Sequence, residues 1–475
     1  MKEQVDVLVI GAGPAGTVAA SIVNKAGYKV KIVEKQTFPR FVIGESLLPR
    51  CMEALEEAGF LDAVRKAGFQ EKGGAKFVKN GKICDYRFAE QFTKGWEWTW
   101  QVPRAEFDKI LADTVQEQGV SLSYQTTVTG IEFHDDHSVT TVTDADGNSS
   151  QIEARYIIDG SGYGRVIPRL LGLEKPSNMP GRRALFAHTR DLRRAMSDEP
   201  NRITIVVHEP GVWIWIIPFS NGVTSLGFVG DPGYFKRFEA LTGANGAIAA
   251  GPGAAASGNG STAAAAGNGL TAGASGNGST AGAVGSAERS PLASNGAGTA
   301  SPEAMLRAMI AAEPYLADRF KDVEWAMAPR GLESWSSTTD AFYGKGFVLT
   351  GNVTEFLDPV FSSGVTLATV SSQLAAGLVI RQLRGEPVDW EKEYSQVMMQ
   401  GVDTFRSYVN TWYEGVLDTI FFADDQDPLI KSQICSVLAG YVWDTTNPYV
   451  KNHHNALHKL QSLINYRDSH RKVQN

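Results

Sequence analysis

The chain has 475 residues, 43% of them hydrophobic, enough apolar mass to bury one large core or two smaller ones. Its formal net charge of -7, with lysine and arginine scattered along the sequence, argues against a nucleic-acid partner. Three cysteines, Cys51, Cys84 and Cys435, have no paired spacing, which excludes a disulfide frame or zinc site and suits the reducing cytoplasm.

The apolar opening from Val5 to Val23 imitates a signal peptide but contains Asp6 and a glycine-rich turn. No later apolar run is expected to span a bilayer, so no membrane partner is expected. Val5 to Ile10 reads as a strand buried on both faces, Pro14 to Ala26 as a helix ended by Gly27, and Tyr28 to Val33 as a second, parallel strand. Arg104 to Gln118 carries apolar residues at helical spacing. Ser121 to Ile131 and Val139 to Ile158 alternate as strands around an Asp146-Gly147 turn, and Ile203 to Val207, Trp213 to Pro218 and Thr224 to Val229 continue the pattern.

From Gly243 to Ser301 the chain is almost wholly Gly, Ala, Ser, Asn and Thr, with too few large apolar groups to offset its ordering entropy, and it reads as a disordered surface insertion. Pro302 to Phe320 resumes as a helix, and the pattern from Gly364 onward is helical. The expected fold is α/β: a Rossmann-type parallel sheet interrupted by a mostly antiparallel, substrate-side sheet, followed by a C-terminal helical region. The expected division is a discontinuous nucleotide domain at 1–75, 104–180 and 325–375, and a substrate-side sheet at 76–103 and 181–240. The insertion at 241–302, a helix at 303–324 and helices at 376–475 complete it.

Gly11, Gly13 and Gly16, with Ala15 among them, lie between the first strand and helix, and Glu34 closes the second strand. Glycines there let backbone N–H groups and the helix dipole approach a pyrophosphate, and a glutamate can accept from ribose hydroxyls. NAD and FAD both use such a unit. Asp159 in Asp159-Gly160-Ser161-Gly162, and the turn Gly351-Asn352, follow later strands, and two distant turns returning to one site suit a long, two-part cofactor.

With these turns the chain resembles the FAD-dependent aromatic hydroxylase superfamily, whose members wrap FAD in this way. Arg104, in Val-Pro-Arg-Ala-Glu-Phe-Asp, matches a flavin-contacting arginine of that superfamily, and the likeness also places Arg40 with the cofactor residues. Taken without the resemblance, Arg104 reads as a solvated charge at a helix start.

Further motifs resemble one branch, the flavin-dependent halogenases of the phenol and pyrrole type, over nearly the whole chain outside the insertion. Trp213-Ile-Trp215-Ile-Ile217-Pro218 matches W-x-W-x-I-P, which in the family is a wall between flavin and substrate; two indoles packing a sheet core are the alternative. Lys72-Gly-Gly-Ala-Lys-Phe matches the pattern around the family's catalytic lysine, expected at the end of an apolar tunnel; Lys76 is read as solvated. Phe356-Leu-Asp-Pro359-Val-Phe361-Ser-Ser363-Gly364 matches F-x-x-P-x-x-S-x-G, whose backbone at Ser363 and Gly364 holds halide in the family, while Ser362 or Ser363 can equally cap the helix. Ser46 belongs to a G-E-S-x-x-P loop that the family keeps near the flavin.

Two departures narrow the reading: Phe361 stands where tryptophan halogenases carry glutamate, and Asn352 where an aspartate is common. The resemblance implies halogenation of an electron-rich aromatic, free or on a carrier protein, with O2, halide and FADH2 delivered by a separate flavin reductase. The rivals are an NAD(P)H-dependent hydroxylase or ene-reductase, and a non-catalytic flavoprotein that binds a carrier. Trp96, Trp98 and Trp100 could line an aromatic pocket or pack a core. Trp412 to Phe422 could dock a carrier or pack on its own domain. His454 and His458 have metal-ligand spacing without acidic or cysteine partners, and no metal is expected.

Overall fold

The computed structural model describes residues 2–177, 179–194, 201–242 and 301–474. The expected insertion lies almost entirely outside them. Lys2–Ile10 runs parallel to Val30–Val33 on one side and to Ser149–Asp159 on the other. Ser121–Ser123 extends the sheet beyond the first, and Phe347–Leu349 beyond the second. Val7, Leu8 and Val9 are fully buried, as a central strand covered on both faces requires. Pro14 opens the first helix, Pro14–Lys25, where its missing N–H costs nothing, and Gly27 at φ +91° turns the chain out of it. The second strand therefore starts at Val30, two residues later than the apolar pattern suggests.

A second, seven-stranded sheet has the order Trp325–Glu333, Arg183–Arg190, Val223–Gly230, Val212–Pro218, Ile203–Glu209, Gly74–Lys79, Lys82–Arg87. All its pairings are antiparallel except that of Gly74–Lys79 with Ile203–Glu209. Two expected boundaries shift. Trp325–Glu333 is hydrogen-bonded to Arg183–Arg190, so it belongs to this sheet and not to the nucleotide unit, and the strand that starts at Gly74 also joins it. Gln70–Lys72 instead forms a two-stranded ribbon with Thr99–Gln101. The single helix expected at 303–324 is two, Pro302–Ala312 and Pro314–Phe320, because Pro314 biases Glu313 to extended backbone, and Glu313 then caps the next turn through the Tyr315 N–H.

The C-terminal region is helical as expected. Its first helix, Ser363–Leu383, is long and apolar enough to cross a bilayer by length and composition, contrary to the sequence reading. Its apolar window is 72% buried inside the protein, against Pro14–Lys25 and Cys51–Glu57, which accounts for its composition as a core helix. Trp412, Val416, Leu417, Ile420 and Phe421 are buried, with the Trp412 ring 5.8 Å from those of Phe77 and Phe361. The 412–422 stretch thus packs on its own domain and presents no apolar docking face.

Candidate flavin site

The glycines of the first turn divide into two roles. A Cβ on Gly16 would sit 1.9 Å from the Gly11 carbonyl oxygen, and one on Gly11, itself at φ +92°, would sit 2.8 Å from the Gly160 carbonyl. Gly16 thus lets the first turn close on itself, and Gly11 lets it touch the Asp159-Gly160 turn. Gly13 instead faces a cavity, with the Arg40 guanidinium 3.4 Å from where a Cβ would be, which leaves room for a ligand. Both Glu34 carboxylate oxygens accept backbone N–H groups, from Ala12 and Gln36, each at 2.9 Å, so the acidic side chain is fixed at the cavity edge.

Arg104 is buried, not solvated. Its Nε and Nη2 grip Asp108 at 2.7 and 2.9 Å, Arg40 adds a third contact to Asp108 at 3.1 Å, and Arg104 Nη1 reaches the Ile43 and Gly44 carbonyls. The pair clamps the 43–46 loop over the cavity. Sequence reading missed Asp108, although its i,i+4 spacing from Arg104 was a usable signal.

The cavity has a volume of about 550 Å³ and runs from Glu34 past Gly11, Gly13 and Ala15 to Arg40, Ser46, Arg104, Asn352, Pro359 and Gly364. It ends against Trp213, Trp215 and Ile217. A polar, glycine-floored end and an aromatic end fit a dinucleotide carrying a flat ring, and FAD fits this donor set: the free turn backbone for its phosphates, Glu34 for its ribose, the indole end for its ring. Gly16, Asp159, Pro218, Gly351 and Ser363 do not line it. Asp159 is fully buried and accepts the Ser161 and Ile167 N–H groups at 3.0 and 2.8 Å, so it shapes the turn that faces the cofactor. Burial raises its carboxyl pKa. Gly351, at φ +60°, packs on Ala368. Ser362 adopts left-handed backbone at φ 57° and makes no cap bond, so the expected N-cap is not formed there; the helix opens at Ser363 with its first N–H groups free of a side-chain partner.

The two indoles are held in place at the aromatic end of the cavity. Trp215 Nε1 donates to Ser225 Oγ at 3.0 Å, and its ring occupies the space that a Cβ on Gly227 would need. Trp213 Nε1 donates to Tyr413 Oη at 3.0 Å, and that hydroxyl donates to Asp358 Oδ2 at 2.9 Å. Burial pushes Asp358 up to about 6, against the opposing Tyr413 hydrogen bond. Asp358 lies inside the Phe356 to Gly364 motif; nothing in the sequence pointed to Tyr413.

Lys72 is fully buried. Its Nζ donates to the Leu47 carbonyl at 2.7 Å and lies 5.4 Å from the Phe88 ring. Burial lowers its pKa to about 7. It does not line this cavity. Trp96, Trp98 and Trp100 stack edge to face, with neighbouring ring centroids 5.7 and 5.0 Å apart, and only Trp100 is fully enclosed. His454 and His458 are ring neighbours, and among the described residues no cluster fit to hold a metal ion occurs.

This fold and site define an FAD-binding flavoprotein, and the comparisons agree. The family profile for the FAD binding domain matches residues 4–232. A solved structure of a flavoprotein/dehydrogenase from Cytophaga hutchinsonii is 52% identical, covering 98% of this chain and 100% of its own, with a TM-score of 0.84. The 1H-pyrrole-2-carbonyl-[peptidyl-carrier protein] chlorinase of Pseudomonas fluorescens is 24% identical over 92% of this chain and 89% of its own. The corresponding brominase of Pseudoalteromonas luteoviolacea is 25% identical over 92% of each. The chain belongs to the FAD-binding flavoproteins, and its cofactor is FAD.

Proposed function

We propose that this protein halogenates an electron-rich aromatic ring of the phenol or pyrrole type, presented on a carrier protein or free. The observation that carries the reading is Lys72, an enclosed lysine poised near neutrality, in the same chain as a double-indole partition facing the flavin cavity. Reduced FAD, delivered by a separate reductase, supplies the oxygen activation that converts halide to hypohalous acid. The free N–H groups that open the helix at Ser363 and Gly364 suit the halide. Trp213 and Trp215 keep the organic substrate off the flavin, which disfavours direct hydroxylation. One Lys72 N–H is committed to Leu47, so the remaining protons hydrogen-bond hypohalous acid and make its halogen more electrophilic, while the neutral amine fraction is open to haloamine formation. Phe361 at the position of an indole-holding carboxylate supports a phenol or pyrrole, and the two carrier-dependent relatives support a tethered one.

The relative described as a dehydrogenase favours one rival, an NAD(P)H-driven reduction that ignores halide. Mass spectrometry of products from the protein with FAD, a flavin reductase, NADH, O2 and bromide decides between them. A bromine isotope doublet on a phenol or carrier-bound pyrrole, lost in Lys72→Ala, supports the halogenase; a reduced or oxygenated product indifferent to bromide refutes it.

A further inference from the structure

The flavin cavity contains one carboxylate that its fold leaves half unused. Glu45 is 2% exposed and lines the cavity; its Oε1 lies 2.6 Å from His188 Nε2, while its Oε2 is buried without a hydrogen-bond partner. The neighbouring Ser46 Oγ, also lining the cavity, is likewise buried and unpartnered. An unmet buried carboxylate oxygen is costly unless something bound there meets it. His188 is not in the cavity lining, and its side chain keeps 15% of its surface in solvent. Glu45 and His188 therefore form a two-residue chain that links a partly exposed imidazole to a residue of the cavity lining.

The proposed chemistry needs such a link. The balance is FADH2 + O2 + X⁻ + H⁺ → FAD + HOX + H2O, so one proton enters the cavity per hypohalous acid formed. The step after it, ArH + HOX → ArX + H2O, needs none. We propose that Glu45 is the catalytic acid that delivers this proton at the flavin, through its free Oε2, and that His188 recharges it from solvent through Oε1. The inference rests on the halogenase reading for the product and for the net proton taken up; reoxidation by itself, FADH2 + O2 → FAD + H2O2, takes up none, but it still carries the flavin's own protons to peroxide, a transfer the same pair can mediate. His188 is packed by the Phe41 and Phe219 rings, centroids 6.2 and 5.4 Å away, and faces Ser225 and Met327 on the flanking strands. The charged groups around the pair are Arg330, over the Phe41 ring at 4.9 Å, Arg194, which donates to the Phe219 carbonyl, and Arg104, which donates to the Gly44 carbonyl. A small base or acid can replace an imidazole at a solvent-reaching position, which makes the relay separable from a merely structural pin.

The test is stopped-flow reoxidation of the FADH2-loaded protein, with a chromogenic hypohalous-acid trap, in Glu45→Gln and His188→Ala. Both variants should retain stoichiometric FAD by absorbance and form hypohalous acid about 100-fold more slowly at pH 7.5, as expected for loss of a positioned acid. Added imidazole should restore His188→Ala, and not Glu45→Gln, towards the wild-type rate. Wild-type rates in either variant, or a loss in His188→Ala that imidazole leaves unchanged, would overturn the relay. If the wild type gives no trapped halogen while reoxidation still depends on both residues and on imidazole, the halogenase reading falls and the relay stands. Should either variant lose FAD, Glu45→Asp and His188→Gln are read for reoxidation at matched FAD loading, where slowed rates support the relay and wild-type rates overturn it.

Discussion

The indole N–H of Trp213 and the phenol oxygen of Tyr413, 3.0 Å apart, tie the cavity wall to a helix two hundred residues away in sequence. Tyr413→Phe removes a hydroxyl that serves two buried partners, leaving both Trp213 Nε1 and Asp358 Oδ2 unmet. The expected loss is about 1–3 kcal/mol, read by thermal unfolding of the FAD-loaded protein. The same variant should leak oxygen chemistry across the partition, seen as a higher ratio of H2O2 to halogenated product.

Asp358 carries a distinct pH signature. Burial raises its folded pKa from 3.8 to about 6, so the folded chain holds the proton more tightly than the unfolded one between those values. Stability is therefore favoured below pH 3.8 and lost as pH rises to 6, by on the order of 3 kcal/mol. Asp358→Asn should lack that decline in chemical-denaturation curves at pH 4 and pH 7; an unchanged difference between the two pH values contradicts the assignment.

Lys72 has the opposite sense. Its folded pKa of about 7 lies below the ordinary 10.5, so the unfolded chain binds the extra proton across that interval and wild-type stability rises with pH through it. Lys72→Met should be more stable than the wild type at pH 6, by on the order of 5 kcal/mol as an upper figure, with the gap closing towards pH 10. It should bind FAD normally and make no halogenated product. Halogenation that persists removes Lys72 from the chemistry.

Gly13 and Gly16 should separate binding from folding. Gly16→Ala forces a methyl into the Gly11 carbonyl and should yield little soluble protein. Gly13→Ala meets only the tip of a flexible arginine, so the apo fold should survive, while FAD affinity falls by roughly tenfold, about 1.4 kcal/mol, in a fluorescence titration.

Arg104→Met should expose what its guanidinium neutralises. Asp108 is completely buried and would keep only Arg40. Breaking a buried pair on one side costs about 3–5 kcal/mol, and the double change Arg104→Met with Asp108→Leu should recover most of it. Equal stability of the single and double variants would show that the clamp carries little energy.

The sequence by itself determined the parts in which function follows from local backbone chemistry. A strand, three glycines and Glu34 within one short stretch specify a dinucleotide turn because N–H groups, helix dipole and Cβ-free approach are all set within a few residues. Alternation along Trp213 to Pro218 placed both indoles on one face for the same reason. What only the tertiary structure decided are the partners brought from afar: Tyr413 and Asp358 on Trp213, His188 on Glu45, Asp108 under two arginines, and the strand Trp325–Glu333 in the second sheet. Burial itself was also not local. Arg104 read as a solvated charge in isolation, and it is the surrounding fold that pairs it and that desolvates Lys72. Strand pairing, desolvation and long-range hydrogen bonds depend on which distant segments the core draws together, and that information is spread over the whole chain.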